Sequence, residues 1–224
     1  MNASHPYPHA QQYLQDNLPA YLRMLRQMVE INSFTYNAAG VNALGKLTAD
    51  IFAPLGFEAQ FVQSAYPEFG KHLVLRKPGT GQPQAGGKTI GLISHLDTVF
   101  PPEEEAANDF RWREAGDRIY GPGTVDIKGG TVVIYMMLDA LRKFAPQQYA
   151  EATFVVLVNA SEEMLCDDFG EVCAQHLVPE AQAALVFEGG HSQNGRCSVV
   201  VARKGRATYH VTVEGKSSHA GSAH

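Results

Sequence analysis

Three short apolar runs, found in residues 89–99, 153–158 and 183–187, most constrain what this chain can fold into. Each run suits one β-strand, because its apolar residues follow one another instead of alternating with polar ones. Segments with the periodicity of α-helices lie between the runs. Fully apolar strands that alternate with helices are typical of a sheet that helices cover on both faces. The sequence therefore predicts an α/β fold.

The spacing of apolar residues also predicts the other elements. Helices are predicted over 18–31, 41–55, 131–144 and 169–176, and strands over 57–62, 72–76, 117–120, 198–202 and 207–214. Residues 1–12 are predicted to form a solvated arm, and residues 103–105 a solvated acidic loop. The pattern changes near Ala202, where we place a domain boundary that divides 1–202 from 203–224. Because roughly twenty residues cannot bury a core of their own, we expect the second piece to be the start of a domain.

Composition narrows the classes of function. Apolar residues make up 45% of the 224, which suits a globular protein with a core. A net charge of −5 argues against a nucleic-acid-binding surface. The cysteines, Cys166, Cys173 and Cys197, lack zinc-finger spacing, and their odd number argues against a disulfide framework. With no signal-peptide pattern and no stretch long enough to span a bilayer, we expect a cytoplasmic protein without a membrane partner.

Four segments end in side chains that can bind metal. These side chains are His95 and Asp97, Asp126, Glu162 and Glu163, and Glu188. Because ligands gather at the carboxyl ends of strands in open α/β sheets, the side chains are predicted to converge. Carboxylates that lie so near to one another repel unless cations neutralise their charge. A histidine with carboxylates and no cysteine suits a hydrolytic zinc site, and an acid bridging two ions would make a paired-metal site.

Each of these residues also has a plainer interpretation. His95 can be a histidine that is hydrogen-bonded in a loop, and Asp126 can cap the helix that follows it. Glu162 and Glu163 can form the solvated start of a helix. Glu188, which precedes two glycines, can be a turn residue. The combination of all four segments is more specific than any one of them.

Five motifs in order carry a resemblance to one enzyme family. They are SHLDTVFP, IYGPGTVDIKGG, NASEEM, FEGG and GKSSHAG. They are similar to the signatures of the dizinc aminoacyl hydrolases, which include glutamate carboxypeptidases, acetylornithine deacetylase and succinyl-diaminopimelate desuccinylase. The resemblance covers residues 20–224 and looks closest to the glutamate carboxypeptidase branch. It implies a zinc-exopeptidase-like three-layer sandwich with a mostly parallel central sheet, in which 1–202 form the catalytic domain and 203–224 the first strand of a lid and dimerisation domain.

The resemblance also implies a role for each matching residue. The implied metal ligands are His95, Asp126, Glu163 and Glu188. Among the implied catalytic residues, Glu162 is the general base and Asp97 orients His95. The third, His219, is a lid histidine that supports the oxyanion from a partner subunit. Taken alone, His219 would be a surface residue. The implied cofactor is two Zn²⁺ per complete site, with Co²⁺ or Mn²⁺ as alternatives, and unusual backbone geometry is expected at Asp126-Ile127. The implied reaction is hydrolysis of a small peptidyl or N-acyl amino acid by a homodimer.

The chain departs from the family pattern in two places. Family members continue past the HAG motif, so we expect this chain to lack a last histidine ligand and most of the lid, and to be poorly active alone. Nothing in the spacing supports His191 or His224 as a substitute ligand. Met-Leu-Cys-Asp-Asp also follows Glu163, where the family has a short Gly-Ser turn. The rival hypothesis is a non-catalytic remnant that binds metal or a partner, although such a module would have no need of Glu162.

Overall fold

The computed structural model describes residues 8–81, 88–164, 167–178, 180–190, 192–193, 196–202, 205, 207 and 209–215. The chain divides into two compact units, Met1–Gly189 and Gly190–His224. The domain boundary near Ala202 stays a prediction.

A five-stranded mixed sheet forms the centre of the first unit. Its strands are β1 (Glu58–Val62), β2 (His72–Lys77), β3 (Thr89–His95), β6 (Thr153–Asn159) and β7 (Ala181–Val186), and β4 (Arg113–Ala115) and β5 (Arg118–Tyr120) form a separate hairpin. The order across the sheet is β1-β2-β6-β3-β7. β3 is parallel to β6 and β7, whereas β2 is antiparallel to both of its neighbours. The sheet is therefore mostly parallel, with β2 as its reversed strand.

Helices cover both faces of this sheet. The described helices are α1 (Pro8–Val29), α2 (Ala38–Phe52), α3 (Pro102–Ala107), α4 (Lys128–Phe144), α5 (Pro146–Glu151) and α6 (Asp168–Leu177), with 3₁₀ turns at Ala53–Leu55 and Glu162–Met164. Of these, α3 buries none of its residues. Alternate residues of β6 are buried on opposite faces. Val156 and Val158 belong to the core that α1, α2 and α4 complete, whereas Val155 and Leu157 pack with residues of α6. The predicted α/β fold with three layers is confirmed.

The buried carboxylate of Asp139 joins α1 to α4. Its Oδ2 accepts hydrogen bonds from the hydroxyls of Tyr21 at 2.8 Å and Tyr13 at 2.9 Å, and its Oδ1 accepts one from Arg142. A buried carboxylate is tolerated here because each oxygen has a donor. These bonds fix α1 against the helix that carries the last glycines of the IYGPGTVDIKGG motif at its start.

Two predicted segments have a different structure. The prediction of a solvated arm over 1–12 is wrong for residues 8–12, because they belong to α1. Pro8 is the first residue of this helix, where a missing N–H costs no hydrogen bond. The acidic run at 103–105 is helical and not a loop, because Pro102 begins α3 and acids stabilise the first turn of a helix.

The third apolar run and the two last predicted strands also differ from expectation. The described side chains leave β7 largely exposed, with Leu185 45% and Val186 63% exposed, because it lies at the edge of the sheet.

In the second unit, Ser192–Gln193 (β8) pairs with Arg196–Cys197 (β9). The described residues within 198–202 and 207–214 are not in strands, since no described segment pairs with them. The expected first strand of a lid domain is therefore absent from the described part of that range.

None of the helices in the described ranges is both long and apolar enough to cross a membrane.

Candidate active site

The parallel pairing of β3 and β6 brings the ends of two motifs together. In the ladder His95 lies opposite Asn159, and the N–H of Leu96 donates to the carbonyl of Asn159 at 2.7 Å. Because both strands run in the same direction, the residues that follow them emerge at one edge of the sheet. The SHLD motif and the NASEE motif therefore lie side by side.

Three side chains at this edge offer a compact set of donor atoms. One ligand atom from each of His95, Asp126 and Glu163 lies within 4.8 Å of the other two. His95 Nε2 lies 3.0 Å from Asp126 Oδ1 and 3.8 Å from an oxygen of Glu188. The side chain of His95 is only 1% exposed, whereas that of Asp126 is 62% exposed, so the set opens to solvent on its aspartate side.

Asp97 fixes the orientation of the His95 ring. Nδ1 of His95 lies 3.1 Å from the carbonyl oxygen of Asp97 and 3.3 Å from its Oδ1, and both are acceptors. Nδ1 therefore carries a proton, and Nε2 faces the carboxylates of Asp126 and Glu188. A metal-binding histidine likewise donates one ring N–H to a carboxylate or a backbone carbonyl, which leaves its other nitrogen for the metal ion.

The charges at this site attract a cation. Burial lowers the pKa of His95, but the hydrogen bond and charge of Asp97, with the charges of Glu188 and Glu162, outweigh burial and raise it to about 9. Burial and the charge of Asp126 raise the pKa of Glu163 to about 7, although His95 opposes this shift. Protons held this tightly indicate a surplus of negative charge, which a divalent ion among the same atoms would neutralise. The donor set therefore fits a metal ion such as zinc.

Four consecutive backbone amides fix the segment that carries Glu162 and Glu163, because each donates a hydrogen bond to a side chain. The N–H of Ala160 donates to His72 Nδ1 at 3.1 Å, and that of Ser161 to Asn159 Oδ1 at 3.0 Å. The N–H groups of Glu162 and Glu163 donate to the two oxygens of Asp97, at 3.0 and 3.2 Å. Every one of these amides has a side-chain acceptor, and three of the four acceptor contacts come from His72 and Asp97, which lie outside β6.

Asp126 lies in a turn with unusual backbone conformations. The Asp126–Ile127 peptide bond is cis, in agreement with the geometry expected there, and Gly121 and Gly123 have φ values of 151° and 77°. A Cβ on Gly123 would lie 2.8 Å from Cδ of Lys128, so this position requires glycine for two reasons. The buried Lys128 in turn donates from Nζ to the carbonyl of Ile31 at 2.9 Å, which ties the start of α4 to the chain that follows α1.

The structure gathers most of the predicted site residues. His95, Asp97, Asp126, Glu163 and Glu188 converge through the contacts above. The backbone of Glu162 joins them, but its side chain is exposed at the start of a 3₁₀ turn. His219, His191 and His224 lie outside the described residues.

Sequence reasoning missed three residues that hold the site in place. Thr35 donates from its hydroxyl to Asp97 Oδ2 at 2.7 Å, although the two residues are 62 positions apart. His72 reaches Ala160 across 88 positions. Asn159 is part of the NASEEM motif, which was the one signal available for it. No local pattern marks Thr35 or His72, because their role depends on strand pairing.

We expect Thr35→Val to lower the free energy of unfolding by about 2 kcal/mol, since it removes a buried bond to a charged group. Thr48→Val is the matched control: that buried hydroxyl donates to the carbonyl of Leu44 within α2, and its loss should cost much less. Urea unfolding of both variants measures the difference. Equal losses would show that the bond to Asp97 contributes nothing special.

The fold is an α/β sandwich that carries a cluster of histidine and carboxylate donors where its parallel strands end. The sequence matches the family described as Peptidase family M20/M25/M40 over residues 91–222. The chain belongs to this family.

Several known proteins are similar to the chain. Carboxypeptidase G2 of Pseudomonas sp. (strain RS-16) is 33% identical over 212 residues, which cover 93% of this chain and 47% of the relative. Acetylornithine deacetylase of Pectobacterium carotovorum subsp. carotovorum (strain PC1) is 27% identical over 208 residues, covering 91% of this chain and 50% of the relative. The crystal structure of human carnosine dipeptidase 1 shares the fold, with a TM-score of 0.67 at 15% identity over 82% of this chain and 41% of that one. The chain thus spans about half the length of the curated relatives that it matches.

Proposed function

We propose that the protein hydrolyses the amide bond of a peptidyl or N-acyl amino acid with the help of two zinc ions, and that Co²⁺ or Mn²⁺ can replace them. The observation that carries this proposal is the cluster of donor atoms from His95, Asp126 and Glu163 within 4.8 Å. Glu188 would be a fourth ligand, since one of its oxygens lies 3.8 Å from His95 Nε2. Asp126 is the candidate for the bridging ligand on the sequence resemblance, and it shares the donor cluster with both His95 and Glu163.

Bound zinc supplies a Lewis acid that polarises a carbonyl and lowers the pKa of water from ~16 towards ~7. The residues of the chain do the rest. Asp97 holds the proton of His95 on Nδ1 and so keeps Nε2 available as a ligand. Its two oxygens also hold the amides of Glu162 and Glu163, so a single carboxylate aligns one ligand with another.

Glu162 is proposed as the general base. Its amide is fixed by Asp97 while its carboxylate extends into solvent, which leaves the carboxylate free to take a proton from the attacking water. The same carboxylate would then pass that proton to the leaving nitrogen of the substrate. Proton transfer by a positioned side chain of this kind contributes about 10²–10⁴-fold to a rate.

The substrate class rests on the relatives. One is named a carboxypeptidase and another an acetylornithine deacetylase, so an amide bond to an amino acid is common to both names. His219 as an oxyanion-supporting residue, and a homodimer that would bring it to the site of a partner, complete the proposal. Both rest on the sequence resemblance.

Metal binding tests the proposal directly. We expect the chain, freed of metal and then titrated with zinc in a calorimeter, to bind about two ions if the site is complete, or one if it is a half-site. Asp126→Asn should weaken zinc binding at least ~10-fold. Asp50→Asn, which removes an exposed acid that pairs with Lys46, is the matched control and should bind zinc as the unchanged chain does. A chain that binds no zinc would contradict the proposal and favour a non-catalytic remnant.

A further inference from the structure

We infer that His72 is a positioning residue for the proposed catalytic segment, and that it acts through the amide of Ala160. The inference rests on the proposed function, because that function gives Glu162 and Glu163 their roles. His72 is the first residue of β2, and it touches none of the proposed ligands in the contacts described above. Its effect on the site would be transmitted along three residues of backbone.

Both nitrogens of the buried His72 ring have a defined partner. The side chain is 0% exposed. Nδ1 lies 3.1 Å from the amide nitrogen of Ala160, which can only donate, so Nδ1 is the acceptor. Nε2 therefore carries the proton and donates to Asp168 Oδ2 at 3.0 Å. The two bonds select one tautomer and one ring orientation.

Asp168 has hydrogen-bond donors of its own, so its position and that of the His72 ring are both fixed. Oδ2 of Asp168 also accepts from the hydroxyl of Ser64 and the amide of Ala65, each at 2.8 Å. Burial raises the pKa of Asp168, but the bonds from His72, Ala65 and Ser64 outweigh it and lower the pKa overall. The carboxylate is thus charged, and it fixes His72 between the start of α6 and the end of β6.

Hydrogen bonds fix both ends of the segment from Ala160 to Glu163. His72, from β2, holds the first amide, and Asp97, which follows β3, holds the last two. β2 and β3 are the two neighbours of β6 in the sheet. Without the bond at Ala160, the chain leaving β6 would have a buried amide without a partner and could shift relative to Asp97. Glu162 and Glu163 would then lose their alignment with His95.

Two substitutions separate the two bonds of His72. The Oδ1 of asparagine occupies the place of Nδ1, so His72→Asn keeps an acceptor for Ala160 and loses the contact with Asp168. The Nε2 of glutamine occupies the place of the ring Nε2, so His72→Gln keeps the donor to Asp168 and loses the acceptor for Ala160. Phe169→Leu is a control for packing, because the Phe169 ring lies 5.2 Å from the His72 ring and makes neither bond.

The readouts are zinc affinity by calorimetry, the visible spectrum of the Co²⁺-loaded chain, and hydrogen exchange at the Ala160 amide. We expect His72→Gln to weaken zinc binding about 10-fold, to alter the Co²⁺ spectrum and to speed exchange at Ala160. His72→Asn should retain zinc affinity within about 3-fold, even though it and Phe169→Leu lower the thermal unfolding midpoint. Partial rescue by asparagine but not by glutamine is the signature of positioning through Ala160.

Three outcomes would overturn the inference. If His72→Gln binds zinc like the unchanged chain, or if the asparagine variant is the more impaired, His72 serves α6 and not the site. Zinc affinity that follows the unfolding midpoint in all three variants would also reduce His72 to a packing role. Failure of the proposed function looks different: the unchanged chain would bind no zinc, yet the exchange rate at Ala160 would still report whether His72 holds that amide.

Discussion

Replacing Glu162 with Gln should abolish any hydrolysis of peptidyl or N-acyl amino acids, with a loss of about 10²–10⁴-fold in kcat, while zinc content stays unchanged. The reason is that glutamine keeps the length and the planar end group of the glutamate side chain but cannot accept a proton. The hydrogen bond that fixes this position involves the backbone N–H of Glu162 and not its carboxylate, so the substitution leaves the bond to Asp97 intact. Steady-state kinetics and metal analysis of the same preparation measure the two effects together.

Two further variants make this result specific. Glu171→Gln, in an exposed position of α6, should leave both zinc content and rate unchanged. Glu163→Gln should lower zinc affinity, because Glu163 belongs to the donor cluster. If Glu162→Gln lost zinc as Glu163→Gln is expected to, the two glutamates would have to exchange roles. Unimpaired hydrolysis by Glu162→Gln would remove the general base from the proposal.

Asp97→Ala should have the largest effect on stability, lowering the free energy of unfolding by about 3 kcal/mol or more. The carboxylate is 1% exposed and accepts from Thr35, Glu162 and Glu163. Alanine would leave these donors without an acceptor in a buried place, and each unpaired buried group costs about 1–3 kcal/mol. Zinc affinity should fall about 10–100-fold, because His95 also loses the partner that orients its ring.

The matched control is Asp16→Ala, which removes an exposed aspartate that accepts from Gln12 on the surface of α1. It should change the free energy of unfolding by less than about 0.5 kcal/mol and leave zinc affinity unaltered. Urea unfolding at fixed pH and zinc titration measure both quantities. A small stability loss in Asp97→Ala would mean that water satisfies the amides of Glu162 and Glu163, and that the segment does not depend on this carboxylate.

The strands that position the site were predictable because each is buried on both faces. Residues 90–93 of β3 and 154–158 of β6 are uninterrupted by polar side chains, and such runs identify central strands without any knowledge of their partners. The edge strand β7 has a similar composition but is largely exposed. Composition cannot separate the two cases, because burial depends on what lies across the sheet edge.

The candidate ligands were predictable because they follow strands within motifs. Their supports were not. Thr35 and His72 lie in segments that look ordinary along the chain, and only the pairing of β2 with β6 and the contact of residue 35 with Asp97 give them a role. Long-range hydrogen bonds of this kind leave no periodic signal, so a single sequence can indicate which residues do chemistry more readily than which residues hold them.

The four bonded amides between Ala160 and Glu163 have an energetic consequence for ion capture. Ordering a residue of backbone costs about 1–2 kcal/mol of conformational entropy, and this segment meets that cost when the chain folds, before any ion arrives. Entry of a cation then has to displace water and protons, but it does not have to freeze a loop. The affinity of this site for a cation is therefore governed by electrostatics and not by chain ordering, because hydrogen bonds to residues distant in sequence have already ordered the segment.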